Sequence, residues 1–387
     1  MLIVNVGVLL TPDVAVENAS IIIEGEFIRE IKAGGERNIG AEIVECRECI
    51  AVPGFIDMHT HGYGGIDVNY VKSEKDLEKL SSMLVKHGVT TYLPTTVSFP
   101  VDKLKEIAEI IYNATFDAAK GSEIAGIYFE GPYLNRERAG AQNPEYLKNP
   151  SVNEVRELYK ASRGLMRVMA LAPELPGSLP VIRELNRMGV IASAAHTNAT
   201  FDEAMRAFDA GVRLCTHIFN GMRVFHHREP GIAIAALMRD DVYVEFIGDL
   251  IHLHSGTVAL ICKSKPTDKV IAITDSISAT GLPDGEYELG GLKIIVKEGV
   301  SRVKETGSLA GSTLTSDKAL RNLVFEVGIP LRYALKYMTK NPAELLGLKD
   351  RGVLRPGFRA DIVLLDSKTL EVKSVIMKGE IVYGGIK

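Results

Sequence analysis

The stretch Pro53-Gly54-Phe55-Ile56-Asp57-Met58-His59-Thr60-His61-Gly62 decides how the rest of the chain is read. Val52, Phe55 and Ile56 favour a short buried strand. Strand alternation then sets His59 and His61 on one face at its end. Two imidazoles on one rigid strand can share a single metal ion, and imidazole is a common ligand of zinc, iron and nickel. The competing interpretation is two unrelated histidines beside a glycine turn, and the residues that follow decide between the two.

From residue 52 onward, predicted strands alternate with amphipathic helices. Strands are expected at 89–93, 124–129, 166–171, 190–194, 212–215, 242–247 and 270–274. With the opening strand these make the eight that a closed parallel barrel requires. Leu77, Leu80, Met83 and Leu84 form one helical stripe behind a Ser73 cap, and Leu104, Ile107, Ile110 and Ile111 form another. Thr200 and Glu203 make a capping-box pair ahead of a helix over 201–210. After the eighth strand, residues 284–304 read as a β-hairpin, followed by helices over 316–327 and 331–346.

Residues 1–51 are strand-rich, with turns at Gly25 and Gly34-Gly35, and residues 350–387 return to the same character. The expected architecture is α/β: a (β/α)8 barrel over 52–349, with a small β-sandwich built from both chain ends. A chain of 387 residues is long enough for this.

The formal charge of -4 gives no broad basic field, so nucleic acid and anionic membrane are not expected partners. No stretch approaches the roughly 20 apolar residues of a membrane span. Cys46, Cys49, Cys215 and Cys262 are too few for a disulfide scaffold and read as structural thiols, so a cytoplasmic protein is expected.

In a parallel barrel the C-terminal strand ends converge on one mouth. Here the first strand ends in His59 and His61, the third in Glu130, the fifth in His196, the sixth in His217 and the eighth in Asp275. The five residues from His59 to His217 offer the nitrogen and carboxylate donors expected for one or two divalent ions, zinc or iron(II). A single buried histidine is usually a satisfied core residue, but four at successive strand ends do not fit that account.

Asp275 is the candidate general acid and base. A divalent ion lowers the pKa of water to about 7, and a carboxylate beside it can accept a proton and pass it to a leaving group. The alternative role is an N-cap for the segment Asp275-Ser276-Ile277-Ser278. Asn220, the Gly221 backbone N–H, Arg228 and His252 are candidates for an anion pocket, against the alternative of a solvated polar loop.

Taken together, these motifs resemble the amidohydrolase superfamily, and within it the N-acetylglucosamine-6-phosphate deacetylase family. The resemblance rests on residues 53–62, Phe129-Glu130-Gly131-Pro132-Tyr133-Leu134, Ala195-His196-Thr197-Asn198-Ala199-Thr200, Thr216-His217 with Asn220, His227-Arg228-Glu229-Pro230-Gly231, Ile273-Thr274-Asp275-Ser276 and Gly307-Ser308-Leu309-Ala310-Gly311-Ser312. It implies hydrolysis of an acetamide on a small amino-sugar phosphate. Glu130, His196 and His217 match the main metal ligands, and His59 and His61 match a second-metal site present in some members.

By the same resemblance, Asp275 matches the catalytic carboxylate, and Asn220, Gly221, Arg228 and His252 match positions that hold the sugar phosphate. Part of that phosphate site comes from the neighbouring subunit in the family, which implies a homodimer. Gly140-Ala141-Gln142 stands where some members have Gly-Ala-His. Gln142 cannot carry a proton at neutral pH, so its expected role is to position substrate by donating a hydrogen bond.

Two other functions are weighed. A cyclic-amide hydrolase of the dihydroorotase or hydantoinase type would bridge two metals with a lysine ending the fourth strand, and residues 166–172 offer none. An inactive scaffold would be expected to lose ligands, and none is missing.

Overall fold

The computed structural model describes residues 1–35, 40–115 and 121–385. Its centre is a parallel barrel of eight strands: β1 (Phe55–Thr60), β2 (Val89–Thr96), β3 (Ile127–Glu130), β4 (Met166–Leu171), β5 (Ile191–Ala194), β6 (Val212–Cys215), β7 (Tyr243–Ile247) and β8 (Val270–Ile273). Each pairs in parallel with its neighbour from β1 to β8. The ring closes where the Asp275 N–H donates to the His59 carbonyl at 3.0 Å and Thr60 bridges Ser276. All eight strands were legible because each is a short apolar run bounded by turn residues.

The helices between the strands present their predicted stripes inward. Leu77, Leu80 and Leu84 are buried, as are Leu104, Ile107 and Ile111. The Ser73 and Thr200 caps are both complete capping boxes, closed by Asp76 and Glu203 respectively. No helix among the described residues is long and apolar enough to cross a membrane.

Outside the barrel, both chain ends build one eight-stranded sheet around its own core, which includes Val4, Val6, Ile21, Val44, Ile362 and Ile376. Glu42–Pro53 is central: it runs parallel to Leu2–Leu10 on one side and antiparallel to Ile362–Asp366 on the other. A single residue, Gly54, separates this strand from β1. A Cβ on Gly54 would lie 2.2 Å from the Thr90 hydroxyl oxygen, so β1 can lie against β2 only because the junction is glycine. Glu123, beside β2, binds Arg351 at 2.9 Å and Lys378 at 3.1 Å, which ties the C-terminal segment to the barrel.

Three expectations are corrected. Residues 284–304 form a three-stranded meander of Gly285–Leu289, Leu292–Lys297 and Val300–Val303, because Gly299 turns the chain once more than a hairpin needs. The helix over 331–346 is two helices, Leu331–Met338 and Lys340–Leu346, broken at Thr339, whose backbone leaves the helical region. Cys46 and Cys49 are joined as a disulfide across a bulge in Glu42–Pro53, where the pairing steps from Val6–Cys46 to Val8–Ile50. That pair is therefore not two free thiols, and it gives no support to a reducing compartment. Cys215 and Cys262 are free.

Thr200→Ala removes the hydroxyl that accepts from Glu203 N–H. It should cost about 1 kcal/mol of stability, read as a lower urea midpoint at unchanged slope, because the barrel mouth is untouched.

Candidate metal centre

The strand ends bring the predicted donors together. His59, His61 and Asp275 form one group and Glu130, His196 and His217 a second, with the ligand atoms of each group within 4.8 Å of one another. All six residues are buried. Glu130 links the groups: its Oε1 lies 2.7 Å from His217 Nε2 and 3.3 Å from His196 Nε2, while its Oε2 lies 3.4 Å from His61 Nε2. Asp275 Oδ1 stands 3.0 Å from His61 Nε2 and 3.5 Å from His59 Nε2.

Three donors sit in backbone conformations that side chains rarely adopt. His196, His217 and Asp275 have φ of 40°, 27° and 52°, at the points where their strands turn into loops. Non-glycine residues held there store strain of roughly 1–3 kcal/mol each, and such positions cluster at functional sites.

The outer nitrogens decide what the inner ones can do. His61 Nδ1 faces the Thr95 carbonyl at 3.0 Å, His196 Nδ1 the Arg138 carbonyl at 2.8 Å, and His59 Nδ1 the Glu245 carboxylate at 3.3 Å. Carbonyls and carboxylates only accept, so each neutral ring carries its proton on Nδ1 and turns an Nε2 lone pair toward the centre. His59 Nε2 and His61 Nε2 are then only 3.3 Å apart. Two lone pairs at that distance repel unless a cation lies between them. This donor set therefore fits divalent metal ions. The buried His217 Nδ1 has no partner among the described residues.

Without metal, protons take the place of the ions. Burial disfavours charge on His61, but the Asp275 and Glu130 carboxylates hold its pKa well above the ordinary imidazole value of 6.5. For His196, burial is again opposed by Glu130, and the pKa is raised. Conversely, burial would push Glu130 up, but His196, His217 and His61 hold it well below the usual carboxylate range. Asp275 is held below its usual range in the same way, chiefly by His61.

A cavity of about 340 Å³ opens beside the cluster, lined by His61, Glu130, His196, His217 and Asp275 together with Gln142, Asn220, Gly221 and His252. That is enough for a small polar molecule. Gly221 is needed for His196 as well as for the cavity wall, since a Cβ there would lie 2.6 Å from His196 Nδ1. Asn220 is tied to the His217 and Ile218 carbonyls at 3.2 and 3.3 Å. His252 Nδ1 is fixed by Asp249 at 2.7 Å.

Two expectations about this wall change. Arg228 is not part of it: the side chain is exposed on the loop after β6, with Nη1 2.8 Å from His227 Nε2. The loop carries Arg228 away from its own cavity, so of the four expected residues only Asn220, Gly221 and His252 line it. Gln142 does line the cavity, but its amide nitrogen donates to Glu130 Oε2 at 2.7 Å and its oxygen accepts from Ser98 N–H at 2.7 Å. The amide is thus committed to orienting Glu130, and only its second N–H is left for substrate. Sequence reasoning missed Glu245. The available signal was a charged residue inside the apolar run Val242-Tyr243-Val244-Glu245-Phe246-Ile247.

The raised imidazole pKa values set a sign for stability in the metal-free protein. Charged His61 and His196 contribute fully below the unfolded value of 6.5, and that contribution is lost as pH rises through their folded values. Chelator-stripped protein should therefore melt at a lower temperature at pH 8 than at pH 6. Metal-loaded protein should show a smaller loss or the reverse, because protons and ions compete for the same lone pairs.

Comparison with known proteins agrees with this geometry. Residues 50–382 match the Amidohydrolase family. An N-acetylglucosamine-6-phosphate deacetylase of Lysinibacillus sphaericus is 35% identical over 331 residues, covering 86% of this chain and 85% of that protein. An N-acetylgalactosamine-6-phosphate deacetylase of Escherichia coli O157:H7 is 37% identical, covering 85% and 86%. A mutant N-acetyl-D-glucosamine-6-phosphate deacetylase of Mycobacterium smegmatis, solved with N-acetyl-D-glucosamine-6-phosphate, superposes with a TM-score of 0.93 at 32% identity over 98% of this chain and 99% of that one. A match of this extent, on a barrel that carries its donors at the strand ends, places the chain in the amidohydrolase family.

Proposed function

We propose that this chain hydrolyses the acetamide of N-acetyl-D-glucosamine 6-phosphate to D-glucosamine 6-phosphate and acetate. It would use one or two divalent ions, zinc or iron, held by His59, His61, Glu130, His196 and His217. The observation that carries the reading is the convergence of four buried imidazoles and two carboxylates beside a cavity of about 340 Å³. Such ions, when bound, make water more acidic and polarise an amide carbonyl.

The protein's own groups do the rest. Asp275, ionised and turned into the cavity, accepts a proton from the attacking water and delivers it to the departing amine. No covalent enzyme intermediate is required. Gln142 holds Glu130 in place, while Asn220, the Gly221 N–H and His252 receive the polar sugar and its phosphate. A sugar phosphate dianion does not cross a bilayer unaided, which supports a cytoplasmic site of action.

Arg228 enters through a homodimer in this reading. It lies outside its own cavity on a loop where Val224 is 74% and Phe225 53% exposed, and apolar exposure of that kind suits burial against a second copy. The partner's loop would then bring Arg228 to the phosphate.

The relatives include both hexosamine epimers at similar identity, so the galactosamine 6-phosphate analogue is the second substrate to assay. Acetate release should be measured on both epimers and on the unphosphorylated sugars. No release from any N-acetylhexosamine 6-phosphate would refute the proposal.

Asp275→Asn should retain metal and lower turnover by roughly 10² to 10⁴. Turnover within a few-fold of wild type would send the proton by another route. Arg228→Ala should lower kcat/KM for the 6-phosphate about ten- to a hundred-fold, matching a lost charge-assisted hydrogen bond, and leave any activity on the unphosphorylated sugar unchanged. Mixing Arg228→Ala with Asp275→Asn should restore partial activity, since a mixed dimer holds one site with both residues intact. Absence of rescue between subunits shown to exchange would remove Arg228 from the partner's site.

A further inference from the structure

Glu245 projects from β7 into the barrel interior and is completely buried. Its hydrogen bond among the described residues is Oε2 to His59 Nδ1 at 3.3 Å, and Oε1 has no partner there. Tyr128, whose ring lies 4.6 Å from that of His59, spends its hydroxyl on Thr216 at 2.6 Å and not on Glu245. A half-satisfied carboxylate under apolar cover is a poor way to stabilise a fold, because desolvation outweighs a single contact.

The comparison within the site is informative. His61 and His196 fix their rings with neutral backbone carbonyls, which suffice to set tautomer and orientation. Of the four imidazoles at the candidate metal centre, His59 is the one whose outer nitrogen faces an anion, although a neutral acceptor would set the same tautomer. What the carboxylate adds is charge: it makes the ring a stronger donor and offsets positive charge in a water-poor interior.

Two divalent cations facing Glu130 and Asp275 leave an excess of positive charge in a buried site, and Glu245 cancels part of it. We infer that Glu245 is a positioning residue for a second ion, one that His59 and His61 would hold. This rests on the metal reading proposed above. Glu245 touches neither substrate nor ion and acts only through His59.

The test uses the full chain stripped with a chelator and titrated with Zn²⁺ alone against a fluorescent chelator, with metal counted by elemental analysis. Wild type should take two equivalents. Glu245→Leu should bind the second equivalent about ten- to a hundred-fold more weakly and the first unchanged. Glu245→Gln, which keeps an acceptor without the charge, should fall between.

An unchanged second equivalent in Glu245→Leu would overturn the inference. So would equal weakening of both equivalents, since that assigns Glu245 to the scaffold. His59→Asn separates the two levels. If it loses the second equivalent and Glu245→Leu does not, only the Glu245 role falls; if it keeps the second equivalent, the His59 ligand assignment falls and the Glu245 role with it.

Discussion

The seam between β8 and β1 is the contact on which the rest depends. The Asp275 N–H donates to the His59 carbonyl at 3.0 Å, the His61 N–H to the Ser276 carbonyl at 2.7 Å, and the Thr60 and Ser276 hydroxyls meet at 2.6 Å. Just below, the Thr274 hydroxyl donates to Asp57 at 2.6 Å. The residues that close the ring are therefore the donors of the metal centre or their immediate neighbours. Cohesion of the barrel and alignment of the site are one set of hydrogen bonds, and a slip of the seam by one residue would turn both histidines away from Asp275.

Around this seam the protein fixes most of the candidate donors by what stands behind them. Backbone carbonyls hold His61 and His196, Gln142 braced by Ser98 holds Glu130, and the left-handed backbone at His196, His217 and Asp275 turns their side chains into the mouth. The strain at those three positions is sustained by the packed barrel beneath them, a common arrangement where geometry matters more than local comfort. Gly221 shows the same economy, giving up a side chain so that His196 fits.

The sequence made the barrel legible because each strand is a bounded apolar run, and it made the donors legible because barrel topology gathers strand ends. What stayed hidden depends on three-dimensional contacts without periodic signature. The Gln142–Glu130 bond is formed by a loop folding back over the strand end, and nothing in Gly140-Ala141-Gln142 says that the amide faces a ligand instead of a substrate. Arg228 lies in a motif that reads as one site, yet its loop leaves the cavity. The Val300–Val303 strand follows a glycine turn short enough to be read as part of a hairpin, and the Cys46–Cys49 bridge needed the bulge that brings those residues together.

The outer sheet has a consequence for biosynthesis. Glu42–Pro53, which leads through Gly54 into β1, is flanked on one side by Leu2–Leu10 and on the other by Ile362–Asp366. One of its neighbours precedes it in the chain and the other follows only after the whole barrel. Until Ile362–Asp366 has been made, Glu42–Pro53 has a naked edge of unpaired N–H and carbonyl groups, and until Arg351 and Lys378 have been made, the Glu123 clasp cannot form. Pairings so distant along the chain come late because loop closure must precede their reward. The nascent chain is thus exposed to mispairing for as long as Ile362–Asp366 is missing and the anchor of β1 is still open.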